Sequence, residues 1–550
     1  MQIHSIDLAI IFFYLVGITS IGVYSGRRQT RSSAGYFLAG RSLSWVTIGL
    51  ALFATNISTV HLIGLASDGF NPERGMAVGN FEWLAPFLLI VLGLVFAPFY
   101  FRTKISTLPE YLEGRYGPAS RTFLAFMAVV GALFIHIGVS LYAGAVMFQS
   151  FVDINIVYSI LIVSTLTIIY TVTGGLRAVV ITESIQTVLL LLGAFAVTVF
   201  GLIALREAGI ESLDQVRAAA APGQMNIIRS DGSYAWYAML LGYPVIGVWY
   251  WCSDQTIVQR VLGARSERDA QIGPIFAGFI KVLPVLLMVF PGVIGYVLFR
   301  DRILAMPTGG DSTLVVLIQE LLPPGMQGLV VAGLLAALMS TVAGALNSTA
   351  TLVSIDIVKR LRPTTHDQTL VRIGQLTAVV VMLAAIAWST QGERFGGIFG
   401  GINQMISVLA PPVSTVFVWG VFWKRGTARA SLVTLVVGFC LGAAVFVVDF
   451  PAVSGLLFGL ETSGDPVQLI TGKLGIPFML QAWWLFVICS AVFVVVSLLT
   501  PAPDPRQVER YCWSHPLAAI TEKKITTLLD PRLLTVLLIL VMAICYFIFA

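Results

Sequence analysis

The feature that most constrains this chain is a series of fourteen long apolar runs. Each is close to the ~20 residues that a helix needs to cross the hydrocarbon core of a bilayer. Only 11% of the 550 residues are charged, against roughly 25% in a soluble domain. The sequence therefore predicts an all-α integral membrane protein with about fourteen transmembrane helices. The runs lie approximately at 5–24, 42–70, 76–101, 122–149, 155–173, 178–205, 235–253, 272–299, 327–357, 373–391, 397–423, 430–450, 478–500 and 533–549.

The distribution of basic residues predicts how these helices are oriented. When the loops are assigned alternately to the two faces, those after the odd-numbered runs hold 24 Lys and Arg residues and the others hold 8. Cytoplasmic loops carry the excess of Lys and Arg. We therefore expect a multi-pass protein of the plasma (inner) membrane with both termini on the extracytoplasmic side.

Two of the runs carry helix-breaking signals at matched positions. The second run is interrupted by the polar patch 54–59, and the seventh contains Gly242, Pro244 and Gly247. Secondary transporters commonly place broken helices at corresponding points of two inverted repeats. We expect a 5+5 inverted repeat of the leucine-transporter type, with one helix before it and three after. The predicted segments are 1–41, 42–205 (first repeat), 206–234 (external loop), 235–423 (second repeat) and 424–550.

Several other functions are disfavoured by what the sequence lacks. The longest loops hold about 30 residues, whereas a folded domain needs at least ~50. The five histidines stand apart, without metal-binding or nucleotide-binding motifs. The net charge of +5 is explained by topology, so no nucleic-acid partner is expected. Transport, without catalysis and without an organic cofactor, is the class that is left.

Ionisable residues inside apolar runs are energetically unfavourable and usually functional. Glu82, Glu183 and Lys281 are the clear examples. If Glu82 and Lys281 face one cavity, each would offset the desolvation of the other, and together they would bind the hydroxyls of a neutral polyol. Asn56 and His61, five residues apart on the interrupted helix, would add amide and imidazole contacts.

A second group of residues offers oxygen atoms. Ser340 and Thr341 stand three and four residues after Ala337, so their hydroxyls lie beside its carbonyl on a helix. A small hard cation prefers an all-oxygen shell. Backbone carbonyls of Ala54 and Ile57, in the interrupted run, would complete it.

The sequence of residues 249–260, WYWCSDQTIVQR, resembles the WYWCTDQ-x-IVQR signature of the sodium/glucose cotransporter branch of the sodium/solute symporter family. The similarity extends over essentially the whole chain. Supporting matches occur at 54–66, 109–112, 174–183, 281–292, 347–356, 410–412 and 422–425.

This resemblance implies roles for individual residues. The implied sodium ligands are Ala54, Ile57, Ala337, Ser340 and Thr341. The implied sugar pocket is lined by Asn56, His61, Glu82, Tyr250, Trp251 and Lys281, with Tyr250 stacked on the cytoplasmic side of the sugar. Asn403, beside Gln404, aligns where the family's sugar carriers usually have a glutamine, and Glu183 aligns with an aspartate associated with a second sodium.

The resulting hypothesis is sodium-coupled symport of a glucose-like or galactose-like monosaccharide by alternating access. Its partners are a small neutral sugar, sodium and membrane lipid, with no obligate protein partner. One alternative is a symporter of another neutral polyol such as inositol, or one driven by protons. More distant alternatives are an antiporter-like subunit of a proton pump and a membrane transceptor.

Overall fold

The computed structural model of the chain describes residues 4–27, 32–152, 154–306, 308–390, 398–449, 461–462, 465–466, 469–515, 518, 527 and 529–549. These residues are almost entirely helical. Besides turns and loops, the described residues include a pair of two-residue antiparallel strands, β1 (Glu461–Thr462) and β2 (Asp465–Pro466). The all-α architecture predicted from the apolar runs is therefore confirmed.

The helices are given in two groups, separated by the non-helical segment 220–235. The first group is α1 Ser5–Gly26, α2 Ser33–Leu38, α3 Trp45–Asn56, α4 Thr59–Phe70, α5 Asn80–Val91, α6 Ala97–Thr103, α7 Leu108–Arg115, α8 Pro118–Gly131, α9 Ser140–Val152, α10 Ile156–Glu207 and α11 Leu213–Ala219. The second group is α12 Trp236–Gly247, α13 Gln255–Leu262, α14 Glu267–Ile280, α15 Phe290–Leu304, α16 Thr313–Leu321, α17 Met326–Thr351, α18 Asp367–Ser389, α19 Ile398–Phe422, α20 Ala428–Asp449, α21 Phe478–Leu499, α22 Pro505–Tyr511 and α23 Pro531–Phe549.

Short irregular helical turns join or extend several of these helices. Turns of the 3-10 type occur at Ala39–Arg41, Gly75–Gly79 and Gly309–Ser312, and wider π-helical turns at Leu92–Phe96, Ala132–Val139, Val248–Ser253, Val285–Val289, Leu352–Lys359 and Leu469–Lys473. Such π-helical turns are frequent at functional sites.

Within the described residues, eleven helical stretches are long and apolar enough to cross a membrane, or twelve when the bent pair α3 and α4 counts as one span. The 52-residue helix α10 covers two of the predicted runs. It is interrupted at Gly175, which has φ 58°, and a side chain there would overlap the Tyr36 carbonyl oxygen. The count of fourteen spans and the inverted repeat stay predictions.

The first predicted break is present between α3 and α4. The two helices meet at an angle of 62°, and Ile57 and Ser58 form the junction. The Ser58 hydroxyl accepts from the His61 amide at 3.4 Å, which is the usual way in which a serine begins a helix. The patch 54–59 therefore ends one helix and starts the next.

The second break lies later in the chain than predicted. Gly242, Pro244 and Gly247 all belong to α12, and the interruption runs from Val248 to Asp254. Gly242 serves close helix packing instead, because a side chain there would overlap the Met479 carbonyl oxygen of α21. The wide turn at Val248–Ser253 follows Pro244, whose missing N–H removes a hydrogen bond from the helical ladder.

Helix α17 lies at the centre of the bundle. It packs along α10, α1, α9 and α18, and every residue from Val330 to Thr351 is buried. A helix that is apolar on all sides is expected in such an interior position. The few polar side chains of α17 are therefore held away from lipid and face other helices.

Candidate functional site

The predicted acceptor and donor, Glu82 and Lys281, form a buried ion pair. Glu82 lies in the first turn of α5, and Lys281 directly follows the last residue of α14. The Lys281 ammonium binds the Glu82 carboxylate, and the two side chains are 1% and 3% exposed. It also donates to the Asn56 side-chain oxygen at the end of α3. The Lys281 ammonium thus binds oxygen atoms from both α5 and α3.

Asn56 connects this pair to the second interrupted span. Its Oδ1 accepts from Lys281, while its Nδ2 donates to the Tyr250 hydroxyl at 3.1 Å. The Tyr250 ring meets the Trp251 ring edge to face, with centroids 5.0 Å apart. Lys281 Nζ lies 5.7 Å from the centre of the Trp251 ring, within cation–π range. The structure therefore brings together five of the eight predicted pocket residues.

Of the other three predicted pocket residues, the structure describes the side chain of His61. The Nδ1 atom of His61 is hydrogen-bonded to the Ser58 hydroxyl at 3.1 Å, within the break between α3 and α4. Asn403 and Gln404 belong by their backbone to α19, but their side chains lie outside the described residues. Their role in the pocket stays a prediction.

Oxygen atoms of α3 and α17 converge close to Asn56. The Ser340 hydroxyl lies 2.9 Å from the Ala337 carbonyl oxygen and 2.8 Å from that of Ala54. The Thr341 hydroxyl lies 3.1 Å from the Ala337 carbonyl and 3.4 Å from that of Thr55. Every one of these oxygens is neutral and buried, which suits a small hard cation.

Two further backbone positions of the interrupted span border this oxygen cluster. Ile57 lies in the break, where its amide closes α3 by donating to the Phe53 carbonyl at 3.0 Å. Thr55 contributes a carbonyl that sequence reasoning did not include. The signal for it was its position next to Ala54, since successive carbonyls at a helix end lack helical partners.

Glu183 is paired with Arg260, a residue whose importance sequence reasoning missed. Arg260 Nη2 binds Glu183 Oε1, its Nε lies 3.2 Å from Oε2, and both side chains are fully buried. The Thr55 hydroxyl donates to the same carboxylate at 2.9 Å. The apolar runs place Arg260 in a basic loop, but it lies inside α13. The charge of Glu183 is therefore already compensated by the protein.

Taken together, broken helices around buried polar groups define an all-helical membrane transporter of the secondary class. The sodium:solute symporter family profile matches residues 36–438, and the chain belongs to this family. The protein is 35% identical over 544 residues to the sodium/mannose cotransporter SLC5A10 of Bos taurus, covering 93% of this chain and 89% of the relative.

Two further relatives have different named substrates. The sodium/glucose cotransporter 1 of Ovis aries is 32% identical, covering 93% of this chain and 81% of the relative. The sodium/myo-inositol cotransporter of Homo sapiens is also 32% identical, covering 91% and 74%. All three relatives are named as sodium cotransporters of polyhydroxy compounds.

Two solved structures share the fold. A Na+-coupled sialic acid symporter in a substrate-bound outward-open state matches with a TM-score of 0.76 and 21% identity, covering 91% of this chain and 99% of that structure. Mhp1, a nucleobase-cation-symport-1 family transporter in a closed conformation, matches with a TM-score of 0.51 and 15% identity, covering 88% and 98%. At these identities the likeness concerns the fold alone.

Proposed function

We propose that this protein couples the entry of sodium to the uptake of a glucose-like or galactose-like monosaccharide by alternating access. The observation that carries the proposal is the position of Asn56. This residue binds Lys281 and Tyr250, and it lies two residues from Ala54, whose carbonyl meets Ser340. A single helix end therefore belongs to both the sugar site and the ion site.

The chemistry of the first site suits a sugar. A pyranose has a rim of hydroxyls and an apolar C–H face, and such ligands are held by a few convergent polar groups beside aromatic rings. Here Glu82 accepts hydrogen bonds, Lys281 donates them, and the Tyr250 and Trp251 rings lie alongside. The hydroxyls of a bound sugar would replace some of the hydrogen bonds that Lys281, Glu82 and Asn56 make with one another.

In the second site, sodium is cargo. It would be held by the carbonyls of Ala54, Ile57 and Ala337 and by the hydroxyls of Ser340 and Thr341, which would turn their protons outward. Such an ion would draw the end of α3 onto α17. Because Asn56 is part of that helix end, sodium binding would also fix its side chain for the sugar.

The named substrates of the relatives support a second candidate substrate, inositol. Inositol presents the same rim of hydroxyls as a pyranose, and one relative is named as a sodium/myo-inositol cotransporter. In addition, Gly247 faces Leu88, since a side chain at this glycine would overlap the Leu88 side chain. An apolar side chain thus faces α12 at this position, close to Tyr250 in the sequence.

The decisive experiment is uptake into proteoliposomes of radiolabelled D-glucose, D-galactose, D-mannose and myo-inositol. Gradients of sodium, potassium and protons are imposed separately. We expect one hexose to accumulate with the sodium gradient only. A proton gradient that drives uptake would favour the proton-coupled alternative, and failure of sodium to drive uptake of any of the four would refute the proposal.

The proposed topology retains both termini outside the cytoplasm and two five-helix repeats at 42–205 and 235–423. The kink at Gly175 supports it, because it divides α10 into two lengths that match the predicted fifth and sixth spans. Labelling of single cysteines placed at Ser5 and Thr500 with a membrane-impermeant maleimide tests the sidedness. Only the cysteine at Ser5 is expected to react from outside.

Removal of either proposed sodium hydroxyl is expected to weaken sodium activation. Ser340→Ala and Thr341→Ala each take away one oxygen ligand while leaving the helix intact. A loss of ~1.4 kcal/mol would raise the half-saturating sodium concentration about tenfold. Sodium titration of uptake measures this, with Thr349→Ala on the same helix as the control. Unchanged sodium dependence in both variants would place the ion elsewhere.

Substitutions at Tyr250 are expected to separate its ring from its hydroxyl. Tyr250→Phe keeps the ring and should retain most uptake, losing only the bond from Asn56. Tyr250→Ala should lose coupled uptake. If the ring only fills space, the alanine variant would instead lose about 3 to 5 kcal/mol of stability, as other aromatic truncations do. Uptake is therefore normalised to folded protein, and normal coupled uptake by Tyr250→Ala would rule out a gate at this ring.

A further inference from the structure

The short helix α13 is attached to the centre of the bundle by hydrogen bonds between side chains. Gln259 donates to the Thr351 hydroxyl at 2.7 Å, and the Thr256 and Ser348 hydroxyls are 3.2 Å apart. Such neutral bonds contribute only about 0.5–1.5 kcal/mol each, since water offers replacements. Water would therefore replace these bonds between α13 and α17 at modest cost, whereas Arg260 at the far end of α13 stays bound to Glu183 of α10.

One more polar contact lies at the start of α13, beside Tyr250. His136 Nε2 is 3.3 Å from Asp254 Oδ2, and both side chains are 11% exposed. The other carboxylate oxygen of Asp254 accepts from the Thr256 amide at 2.6 Å and so begins α13. The carboxylate therefore joins the helix end to a residue that is 118 positions away in the chain.

His136 is held firmly by its own segment, the wide turn Ala132–Val139. On one side of it, Phe134 packs edge to face on Trp388 with centroids 4.9 Å apart. On the other, Gly138 approaches Trp388 so closely that a side chain would overlap the ring. His136 thus belongs to the part of the bundle built on α18, whereas Asp254 belongs to the interrupted span.

The same contact is linked to the proposed sugar site. The His136 and Tyr250 ring centroids are 6.4 Å apart, and the Tyr250 hydroxyl accepts from Asn56. Asp254 follows Tyr250 by four residues, toward the basic loop at 263–268. If that loop is cytoplasmic, His136 and Asp254 lie on the route by which a sugar held above Tyr250 would leave past the ring.

We propose that the His136–Asp254 contact is the latch that closes this release route, and that α13 must leave His136 before the sugar is released. The inference rests on the proposed function. An imidazole–carboxylate contact is stronger than a neutral hydrogen bond when charged, and its partial exposure leaves it open to water. Glu183 and Arg260, in contrast, are fully buried. His136 acts as a positioning residue for the gate.

A zinc bridge tests the latch directly. In Asp254→His, the native His136 and the new imidazole should bind Zn2+ between them, since imidazole nitrogen is a preferred zinc ligand. We expect ZnCl2, supplied on both sides of the vesicles, to reduce sodium-driven uptake at least tenfold. EDTA should restore uptake, and equilibrium sugar binding should change less than twofold. The sugar used in both assays is the one that the wild-type protein accumulates best in the uptake experiment above.

The matched control is the double variant His136→Asn with Asp254→His, which should be insensitive to zinc. Zinc should also raise the melting temperature of purified Asp254→His but not that of the control, a readout that needs no substrate. Absence of that shift would show that the two side chains do not meet. Normal uptake by the zinc-bridged protein, or equal inhibition of the control, would also overturn the proposal.

A second variant tests the latch without metal. His136→Phe keeps a ring against Tyr250 but removes the bond to Asp254, so sugar efflux from preloaded vesicles should accelerate several-fold. Efflux at the wild-type rate would contradict the latch. Failure of the wild-type protein to take up any of the four test compounds would count against the proposed function instead. The zinc-induced shift in melting temperature would still report the His136–Asp254 contact.

Discussion

Neutralising either member of the Glu82–Lys281 pair is expected to abolish sugar binding while sodium still binds. Glu82→Gln removes the acceptor charge, and Lys281→Met removes the donor at nearly constant volume. Each leaves a buried charge without its partner, a loss of about 3–5 kcal/mol. Equilibrium binding of radiolabelled sugar to the purified variants measures the first effect. The rise in melting temperature on addition of sodium measures sodium binding independently of sugar.

The double variant Glu82→Gln with Lys281→Met is the control for this prediction. It contains no uncompensated charge, so its thermal stability should return toward that of the wild type, because a buried ion pair adds little over a neutral pair of similar volume. Sugar binding should not return. Binding at wild-type affinity in either single variant would remove that residue from the pocket.

This pair was predictable because membrane interiors penalise isolated charge. Two ionisable residues of opposite sign in apolar runs of a bilayer protein need partners, and they are 199 residues apart in sequence yet joined in the fold. The oxygen cluster was equally readable, since spacing of three and four residues places two hydroxyls beside one carbonyl of a helix. The pairing follows from solvation, and the convergence of the two hydroxyls on Ala337 follows from helix geometry. Ala54 and Ile57 were added from the interrupted helix and from the family resemblance.

Other features depend on packing that the sequence does not display. Gly242 and Pro244 suggest a break, but α12 continues through both residues. Gly242 instead allows the backbone of α21 to pack closely against α12. Arg260 is easily mistaken for part of a basic loop, because it follows the apolar run 235–253 and precedes Arg265 and Arg268. The contact of His136 with Asp254 joins two segments that no spacing or motif relates.

The second large effect is expected at the Glu183–Arg260 pair. Glu183→Gln keeps an acceptor for the Thr55 hydroxyl but leaves the Arg260 guanidinium uncompensated in a site with no exposed surface. The expected loss is about 3–5 kcal/mol, seen as a lower melting temperature and a lower yield of folded protein. Glu183→Gln combined with Arg260→Met should recover much of it. A single variant as stable as the wild type would show that the pair contributes nothing.

The effect of sodium on the stability loss of Glu183→Gln tests whether Glu183 also binds a second cation. A ligand stabilises the folded protein by RT ln(1 + [L]/Kd), so each sodium site adds its own increment to the melting temperature. Because Arg260 already binds both carboxylate oxygens of Glu183, we expect the deficit of Glu183→Gln to be equal in choline chloride and in saturating sodium chloride. The Ser340→Ala variant is the comparison, since its deficit should grow with sodium. A deficit of Glu183→Gln that also widens with sodium would mean that the carboxylate releases Arg260 and coordinates an ion during the transport cycle.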